Sequence, residues 1–147
     1  MPRALIIGYG NPLRGDDGLG RAAAERLREM ALPQVEVLAA HQLTPELAED
    51  LSGVDLAIFI DAREGGRPGA WRAEAVVPEA DAGRAFTHHA TPPGLVANAR
   101  LLYGRAPEAM LFSMSGETFG YREGLSEAVE AALPAMLAAV MERIGAR

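Results

Sequence analysis

Apolar residues occur along the chain in two kinds of pattern: short continuous runs, and longer segments in which every third or fourth residue is apolar. The runs are typical of buried strands, and the longer segments are typical of amphipathic helices. The predicted strands cover residues 4–8, 35–39, 55–60, 71–77 and 109–113. The predicted helices cover residues 18–31, 45–53, 91–104 and 125–144, and residues 78–86 are predicted to be loop.

Local signals support several of these boundaries. Thr44 is predicted to cap a helix that has Pro45 in its first turn, and Thr91 and Pro92 are predicted to start another helix, which Gly104 is placed to end. Pro134 lies inside the last helix and predicts a kink or a division in two. Alternation in residues 71–77 is typical of a half-exposed strand and is compatible with antiparallel pairing.

Strands that alternate with helices predict an α/β fold. We expect a three-layer αβα sandwich with a mostly parallel, twisted sheet of about five strands and helices on both faces. The chain has 147 residues and shows no linker or internal repeat. It is therefore predicted to form one domain spanning residues 1–147.

The composition excludes several kinds of chemistry. The chain has no Cys and no Lys. Thiol nucleophiles, thiolate metal sites, P-loops and Schiff-base lysines are therefore ruled out. None of the four serines lies in a GxSxG elbow. Catalysis is left to carboxylates, imidazoles, Arg, Tyr, backbone amides or a metal.

The charge and hydropathy point to a protein that binds neither nucleic acid nor membrane. The net charge is −6, and the arginines are scattered along the chain, so no basic stripe is available for a phosphate backbone. No apolar run approaches the roughly 18 residues of a membrane span, and residues 1–3 show no signal peptide. We expect a cytoplasmic protein.

Scarce polar residues follow the predicted strands. In a parallel sheet the carboxyl ends of the strands share one edge, and a helix that leads into a parallel strand begins at that edge. The residues expected there are Asp16, Asp17, His41, Asp61, His88 and His89. This clustering predicts a functional crevice.

The individual residues leave alternatives open. Asp61 follows a fully apolar run and needs a partner such as a metal, an arginine or backbone amides, or it caps the following turn. Asp16 is placed to cap the helix that begins near Gly18, which leaves Asp17 as a ligand. Neighbouring side chains diverge, so at most one of His88 and His89 is expected to act.

Two carboxylates and an imidazole form a mixed oxygen and nitrogen set. Such a set suits a divalent transition metal such as nickel or zinc. It is short of a full set of ligands and therefore leaves positions open for substrate or water.

Gly8 and Gly10 also match part of a dinucleotide-binding fingerprint. The match is poor, because Leu13 replaces the third glycine and the helix begins only near Gly18. Two acids at the end of the turn would repel a pyrophosphate.

Residues 8–20, GYGNPLRGDDGLG, resemble the signature G-x-G-N-x-L-x-x-D-[DE]-G of the hydrogenase maturation proteases. The resemblance continues, in order, in residues 41–47, 59–62, 87–93 and 120–126, over essentially the whole chain. It implies an endopeptidase that removes a short C-terminal extension from the precursor of a [NiFe] hydrogenase large subunit after nickel has been inserted.

The resemblance also implies the site residues and the partner. Asp17, Asp61 and His89 match the positions that contact metal in the family, and the spacing to Gly104 favours His89 over His88. The nickel is expected to come with the substrate, and other divalent metals are expected to be able to replace it. The implied partner is the large-subunit precursor, and we expect a monomer.

Two mechanisms and two other functions stay open at this point. Nickel in the substrate could complete its coordination through the three residues and polarise the peptide. Alternatively, an aspartate could act as general base without a metal, with two carboxylates sharing a proton. The other functions are a non-proteolytic nickel-binding maturation chaperone and a Rossmann-like nucleotide-binding protein.

Overall fold

The structure, a computed structural model, describes residues 3–78 and 90–145. The strands are β1 (Ala4–Tyr9), β2 (Val35–Ala40), β3 (Leu56–Arg63), β4 (Trp71–Ala75) and β5 (Glu108–Ser115). The helices are α1 (Leu19–Glu29), α2 (Leu47–Ser52), α3 (Pro92–Tyr103) and α4 (Glu127–Gly145). A one-turn 3-10 helix, Gly15–Gly18, precedes α1.

The five strands form one sheet in the order β2-β1-β3-β5-β4. All neighbours pair in parallel except β4, which is antiparallel to β5 at the edge. The predicted α/β fold is confirmed, and the antiparallel pairing that the pattern of residues 71–77 allowed is the one observed. From β1 the chain moves outward first to β2 and then, in the other direction, to β3. A crevice is expected outside the carboxyl ends of β1 and β3, where this direction reverses.

Helices cover both faces of the sheet, as the predicted three-layer sandwich requires. Because successive side chains of a strand point to opposite faces, β1 and β3 contribute to both cores. Ile6 and Ile58 pack with the apolar residues of α1 and α4 on one face. Ile7 and Phe59 pack with those of α2 and α3 on the other. All four side chains are fully buried.

The start of α3 follows the sequence signals. The Thr91 hydroxyl accepts a hydrogen bond from the Gly94 N–H at 3.1 Å, and Gly104 ends the helix at φ 77°. The predicted cap at Thr44 is wrong, because α2 begins only at Leu47 and has no side-chain cap. The Thr44 carbonyl instead accepts a hydrogen bond from the Leu47 N–H at 3.1 Å in a preceding turn.

Two elements differ from what the patterns predict. Helix α4 continues through Pro134 without being divided in two. Strand β3 extends past Ile60 to Arg63, because β5 continues alongside it and pairs Asp61 with Ser113. Asp61 therefore lies within a strand and not in the turn after it. No helix in residues 3–78 and 90–145 is long and apolar enough to cross a membrane.

Candidate active site

A cleft of about 510 Å³ lies at the carboxyl edge of the sheet, where the strand order reverses. Its walls come from the ends of β1, β2 and β3, from the 3-10 turn, from the start of α3 and from Leu111 of β5. The lining residues are Tyr9, Gly10, Asp17, His41, Gln42, Leu43, Asp61, Ala90, Thr91, Pro92 and Leu111. The cleft thus brings together three of the six residues expected at this edge: Asp17, His41 and Asp61.

The predicted ligand His89 and its neighbour His88 lie outside the described residues. The residues that follow them directly, Ala90, Thr91 and Pro92, line the cleft. The assignment of His89 to the site stays a prediction.

Asp17 is held in place by the loop that follows β1. Its Oδ2 accepts a hydrogen bond from the Asn11 N–H at 2.9 Å. Gly10, at φ 147°, packs so closely that a Cβ there would lie 1.9 Å from the Asp17 carbonyl oxygen. Only glycine allows this approach, so Gly10 and Asn11 together place the Asp17 carboxylate at the cleft.

Close packing within the protein accounts for Gly8 and Gly10, so these glycines do not require a bound nucleotide. A Cβ at Gly8 would lie 2.0 Å from the Gly20 carbonyl oxygen, so Gly8 allows close packing of α1 on β1. In a dinucleotide site the second glycine lets the pyrophosphate approach the backbone. Here that space next to Gly10 is filled by the backbone of Asp17, which argues against nucleotide binding.

Asp61 projects from β3 into a partly dehydrated part of the cleft. Burial raises the pKa of Asp61 to about 6, and the negative charge of Asp17 adds to the increase. The Ala62 N–H, which donates to Asp61 Oδ1 at 2.8 Å, and the Tyr9 hydroxyl act in the opposite direction. Asp61 can therefore gain or lose a proton close to neutral pH, as a general acid or base requires.

Tyr9 faces Asp61 from the end of β1. Burial and the neighbouring Asp61 carboxylate raise the pKa of Tyr9 far above its usual value. Its hydroxyl therefore keeps its proton and acts as a hydrogen-bond donor towards Asp61.

Asp16 does not have the predicted role of capping α1 and does not line the cleft. The residue before α1 is Gly18, and no side chain caps that helix. Asp16 is instead completely buried and accepts hydrogen bonds from Ser126 and from the N–H groups of Glu117 and Thr118. These hydrogen bonds lower its pKa, although burial acts to raise it. The prediction failed because its partners lie about a hundred residues further along the chain.

Solved structures of similar fold were found for nearly the whole chain. A hydrogenase 2 maturation peptidase from a Thaumarchaeota archaeon is 30% identical, with a TM-score of 0.75 and 99% of each chain covered. The chain belongs to the hydrogenase maturation protease family. A [NiFe] hydrogenase maturation protease from Thermococcus kodakarensis is 25% identical, with a TM-score of 0.74 over 95% of this chain and 90% of that one.

The hydrogenase maturating endopeptidase HybD from E. coli shares the fold at 24% identity, with a TM-score of 0.75 over 97% of this chain and 91% of that one. No family model and no curated protein sequence matches this chain.

Tyr9 is a residue of the candidate site that the sequence pattern did not single out. The alternation of side chains along a strand could have indicated it. Leu5, Ile7 and Tyr9 alternate along β1, and β3 pairs with β1 so that Ile7 lies beside Phe59. Two residues further along, Tyr9 and Asp61 occur on the same face of the sheet. The pairing register, which the sequence did not supply, was needed to see this.

Among the described residues, the cleft offers only oxygen and nitrogen donors. Asp17 and Asp61 supply carboxylates and His41 an exposed imidazole. Within residues 3–78 and 90–145, no three His, Asp or Glu side chains are grouped closely enough to hold a metal. The described part of the candidate site thus supplies two carboxylates and one imidazole, and a metal site completed by His89 stays a prediction.

Proposed function

We propose that this protein is an endopeptidase that removes the C-terminal extension from the precursor of a [NiFe] hydrogenase large subunit after nickel insertion. The observation that carries the proposal is the cleft with Asp17 and Asp61 at the strand-order reversal. The family supplies the substrate class, since the archaeal structure with 30% identity is a hydrogenase maturation peptidase.

The residues of the cleft favour attack by water over attack by a cysteine or serine side chain. The chain has no cysteine, and none of its four serines, all in the described ranges, lines the cleft. A covalent intermediate on a cysteine thiol or on a serine hydroxyl is therefore not proposed. Water activated by a carboxylate, by a metal or by both remains.

Asp61 is the group best placed to exchange a proton with that water. With a pKa of about 6, it is largely ionised at neutral pH. It can take a proton from the water that attacks the peptide carbonyl and return it to the leaving amine. The Tyr9 hydroxyl donates towards Asp61 and holds the Asp61 carboxylate in its orientation. Asp17 supplies the second carboxylate.

We further propose that Asp17, Asp61 and His89 contact the nickel carried by the precursor. Carboxylate and imidazole are suitable nickel ligands, and a ligand set smaller than nickel prefers leaves room for the ligands that the substrate brings. Because the chain has no thiolate, it is not equipped to draw a thiolate-bound nickel out of its substrate.

The experiment that tests both statements measures the intact mass of nickel-loaded and nickel-free precursor after incubation with the protein. We expect wild-type protein to shorten the loaded precursor only. We expect Asp61→Asn and His89→Ala to process it at least ~100-fold more slowly. Asp50→Asn, a change at an exposed position of α2, is the matched control and should process it normally.

Each alternative has its own outcome. Equal cleavage of nickel-free precursor would refute nickel recognition and favour an aspartate base without metal. Binding of the loaded precursor without any change in its mass would refute the protease and favour a nickel-binding chaperone.

We also propose that the protein works as a monomer in the cytoplasm. Light scattering after size-exclusion chromatography, with and without precursor, tests the first statement. Cell fractionation tests the second.

A further inference from the structure

Asp16 is a completely buried carboxylate directly beside a cleft residue, and the proposed reaction does not use it. It is one of five buried polar or charged side chains in the described ranges. It does not line the cleft. Burial of a carboxylate is costly unless hydrogen bonds compensate for it, so a reason for this burial has to be found in its partners.

Four donors from the segment between β5 and α4 converge on this one carboxylate. Oδ1 accepts from the Ser126 N–H at 2.8 Å. Oδ2 accepts from the Ser126 hydroxyl at 2.7 Å, from the Glu117 N–H at 2.7 Å and from the Thr118 N–H at 3.3 Å. Hydrogen bonds to an ionised acceptor are about twice as strong as neutral ones. The Asp16 carboxylate thus joins the two ends of residues 117–126 to the 3-10 turn.

Backbone contacts join the same two segments. The Asp16 N–H donates to the Thr118 carbonyl at 2.9 Å, and the Gly15 N–H donates to the Arg122 carbonyl at 2.9 Å. Gly116 packs so closely that a Cβ there would lie 2.7 Å from the Asp16 Cβ. The 3-10 turn is therefore fixed to residues 116–126 by side-chain hydrogen bonds, by backbone hydrogen bonds and by close packing.

Asp17 belongs to that 3-10 turn and lies between two attachments. Its own carboxylate accepts a hydrogen bond from the Asn11 N–H, in the loop that follows β1. The turn that carries it is bonded through Asp16 to the segment before α4. We propose that Asp16 is a positioning residue, which holds the 3-10 turn so that the Asp17 carboxylate stays against Asn11 at the cleft. Its effect on peptide cleavage rests on the function proposed above, whereas its effect on Asp17 does not.

Asp16→Asn is the sharpest substitution, because it keeps the size of the side chain. An amide has one acceptor oxygen, so its nitrogen must face either the Ser126 N–H or the three donors around the other oxygen. Leu133→Ala, a substitution at a fully buried position of α4, is the control for a general loss of stability.

The first readout is hydrogen exchange of two amides, those of Asn11 and of Ile58, a fully buried residue of β3. In Asp16→Asn, we expect the Asn11 amide to exchange at least ~10-fold faster relative to the Ile58 amide than in wild type. In Leu133→Ala, the rates of both amides should rise together. Equal changes at both amides in a folded Asp16→Asn would overturn the proposal.

The second readout is processing of nickel-loaded precursor under conditions where all variants are folded. Asp16→Asn should lower kcat at least ~10-fold and change KM by less than about threefold, because the precursor still binds but the carboxylate is misplaced. Leu133→Ala should change neither. A normal kcat in Asp16→Asn would also overturn the proposal.

Ser126→Ala provides the same test if Asp16→Asn does not fold. It removes the hydroxyl donor and keeps the backbone donor, so a smaller change in the same direction is expected. If the Asn11 amide responds as expected but wild-type protein leaves the precursor uncut, the proposed function fails and the positioning role stands. If wild-type protein cuts the precursor but exchange of the Asn11 amide is unchanged by the substitution, the positioning role fails and the proposed function stands.

Discussion

The surroundings of Asp61 favour its protonated form, which links the stability of the protein to pH. Burial raises the pKa of Asp61 from 3.8 to about 6, so the folded protein holds this proton more tightly than the unfolded chain. The resulting stabilisation is complete below the unfolded pKa, near 4, and is lost as the pH rises through about 6. Ionisation of the Asp61 carboxyl therefore lowers the free energy of unfolding.

Asp61→Asn should remove this cost. Because the amide stays neutral, we expect the variant to gain free energy of unfolding relative to wild type as the pH rises from about 4 to about 7.5, on the order of 1–3 kcal/mol. Urea unfolding of both proteins across this range measures the difference. Asp50→Asn, at an exposed position, should follow wild type at every pH. A constant difference between Asp61→Asn and wild type would contradict the pKa assigned to Asp61.

Gly10 allows a separate prediction about the placement of Asp17. In Gly10→Ala the new methyl group would overlap the Asp17 carbonyl oxygen, so the turn must move. We expect the free energy of unfolding to fall by about 3 kcal/mol and processing of the precursor to be lost. Gly104→Ala is the control, since Gly104 also has positive φ but a Cβ there would have no neighbouring atom within 4 Å.

Gly104→Ala should lose only about 1–2 kcal/mol, from the left-handed backbone alone, and should keep its activity. Urea unfolding and the mass assay on the same preparations give both numbers. Similar losses of stability in the two variants would show that the contact between Gly10 and Asp17 is not the decisive one.

At the scale of elements, the N-terminus of α3 connects helix stability to the cleft wall. The Thr91 hydroxyl caps this helix, and Thr91 and Pro92 line the cleft. We expect Thr91→Ala to lower the free energy of unfolding by about 1 kcal/mol. Thr91→Ser keeps the hydroxyl and should stay close to wild type. A chemical-denaturation series on the three proteins checks this; equal losses in both variants would assign the effect to the methyl group and not to the cap.

Local signals predicted those elements whose boundaries depend on neighbouring residues. The start of α3 at Thr91 and its end at Gly104 are of this kind, as is the edge strand that begins at Trp71. The end of β3 was misplaced because its last residues are ordered by pairing with Ser113–Ser115, which no local pattern reveals. A cap inferred at Thr44 failed because a turn precedes α2.

The candidate site divides in the same way. Asp17, His41 and Asp61 were expected at one edge because the topology of a parallel sheet brings strand ends together. The true partners of Asp16 lie in residues 117–126, and only the folded chain shows them. Local propensity favoured a helix cap at Asp16, and tertiary hydrogen bonding overrode it.

At the scale of the whole molecule, one sheet supports two apolar cores. Leu133 belongs to the core with α1 and α4, and Leu95 to the core with α2 and α3. Both cores include alternate residues of the same two strands, β1 and β3. Loss of either core would therefore expose one face of the sheet on which the other core is built.

This sharing predicts cooperative unfolding of residues 1–147 as one domain. Leu133→Ala and Leu95→Ala, both at fully buried positions, should each lower the free energy of unfolding by about 2–5 kcal/mol and leave the urea m-value unchanged. Trp71, the only tryptophan, stacks on Phe112 at the Leu133 face and reports on that core by fluorescence, whereas far-ultraviolet circular dichroism reports on the whole fold.

The decisive comparison is Leu95→Ala, which weakens the core on the face away from Trp71. If the two cores unfold together, the fluorescence and circular dichroism transitions shift by the same urea concentration in this variant and stay superimposed. If the cores unfold separately, circular dichroism falls first while the Trp71 signal stays at its wild-type midpoint, and the prediction of a single domain is wrong. We expect the two transitions to stay superimposed. If the helices α2 and α3 were lost, Ile7 and Phe59 would become exposed, and they lie on the same strands as Ile6 and Ile58 of the other core.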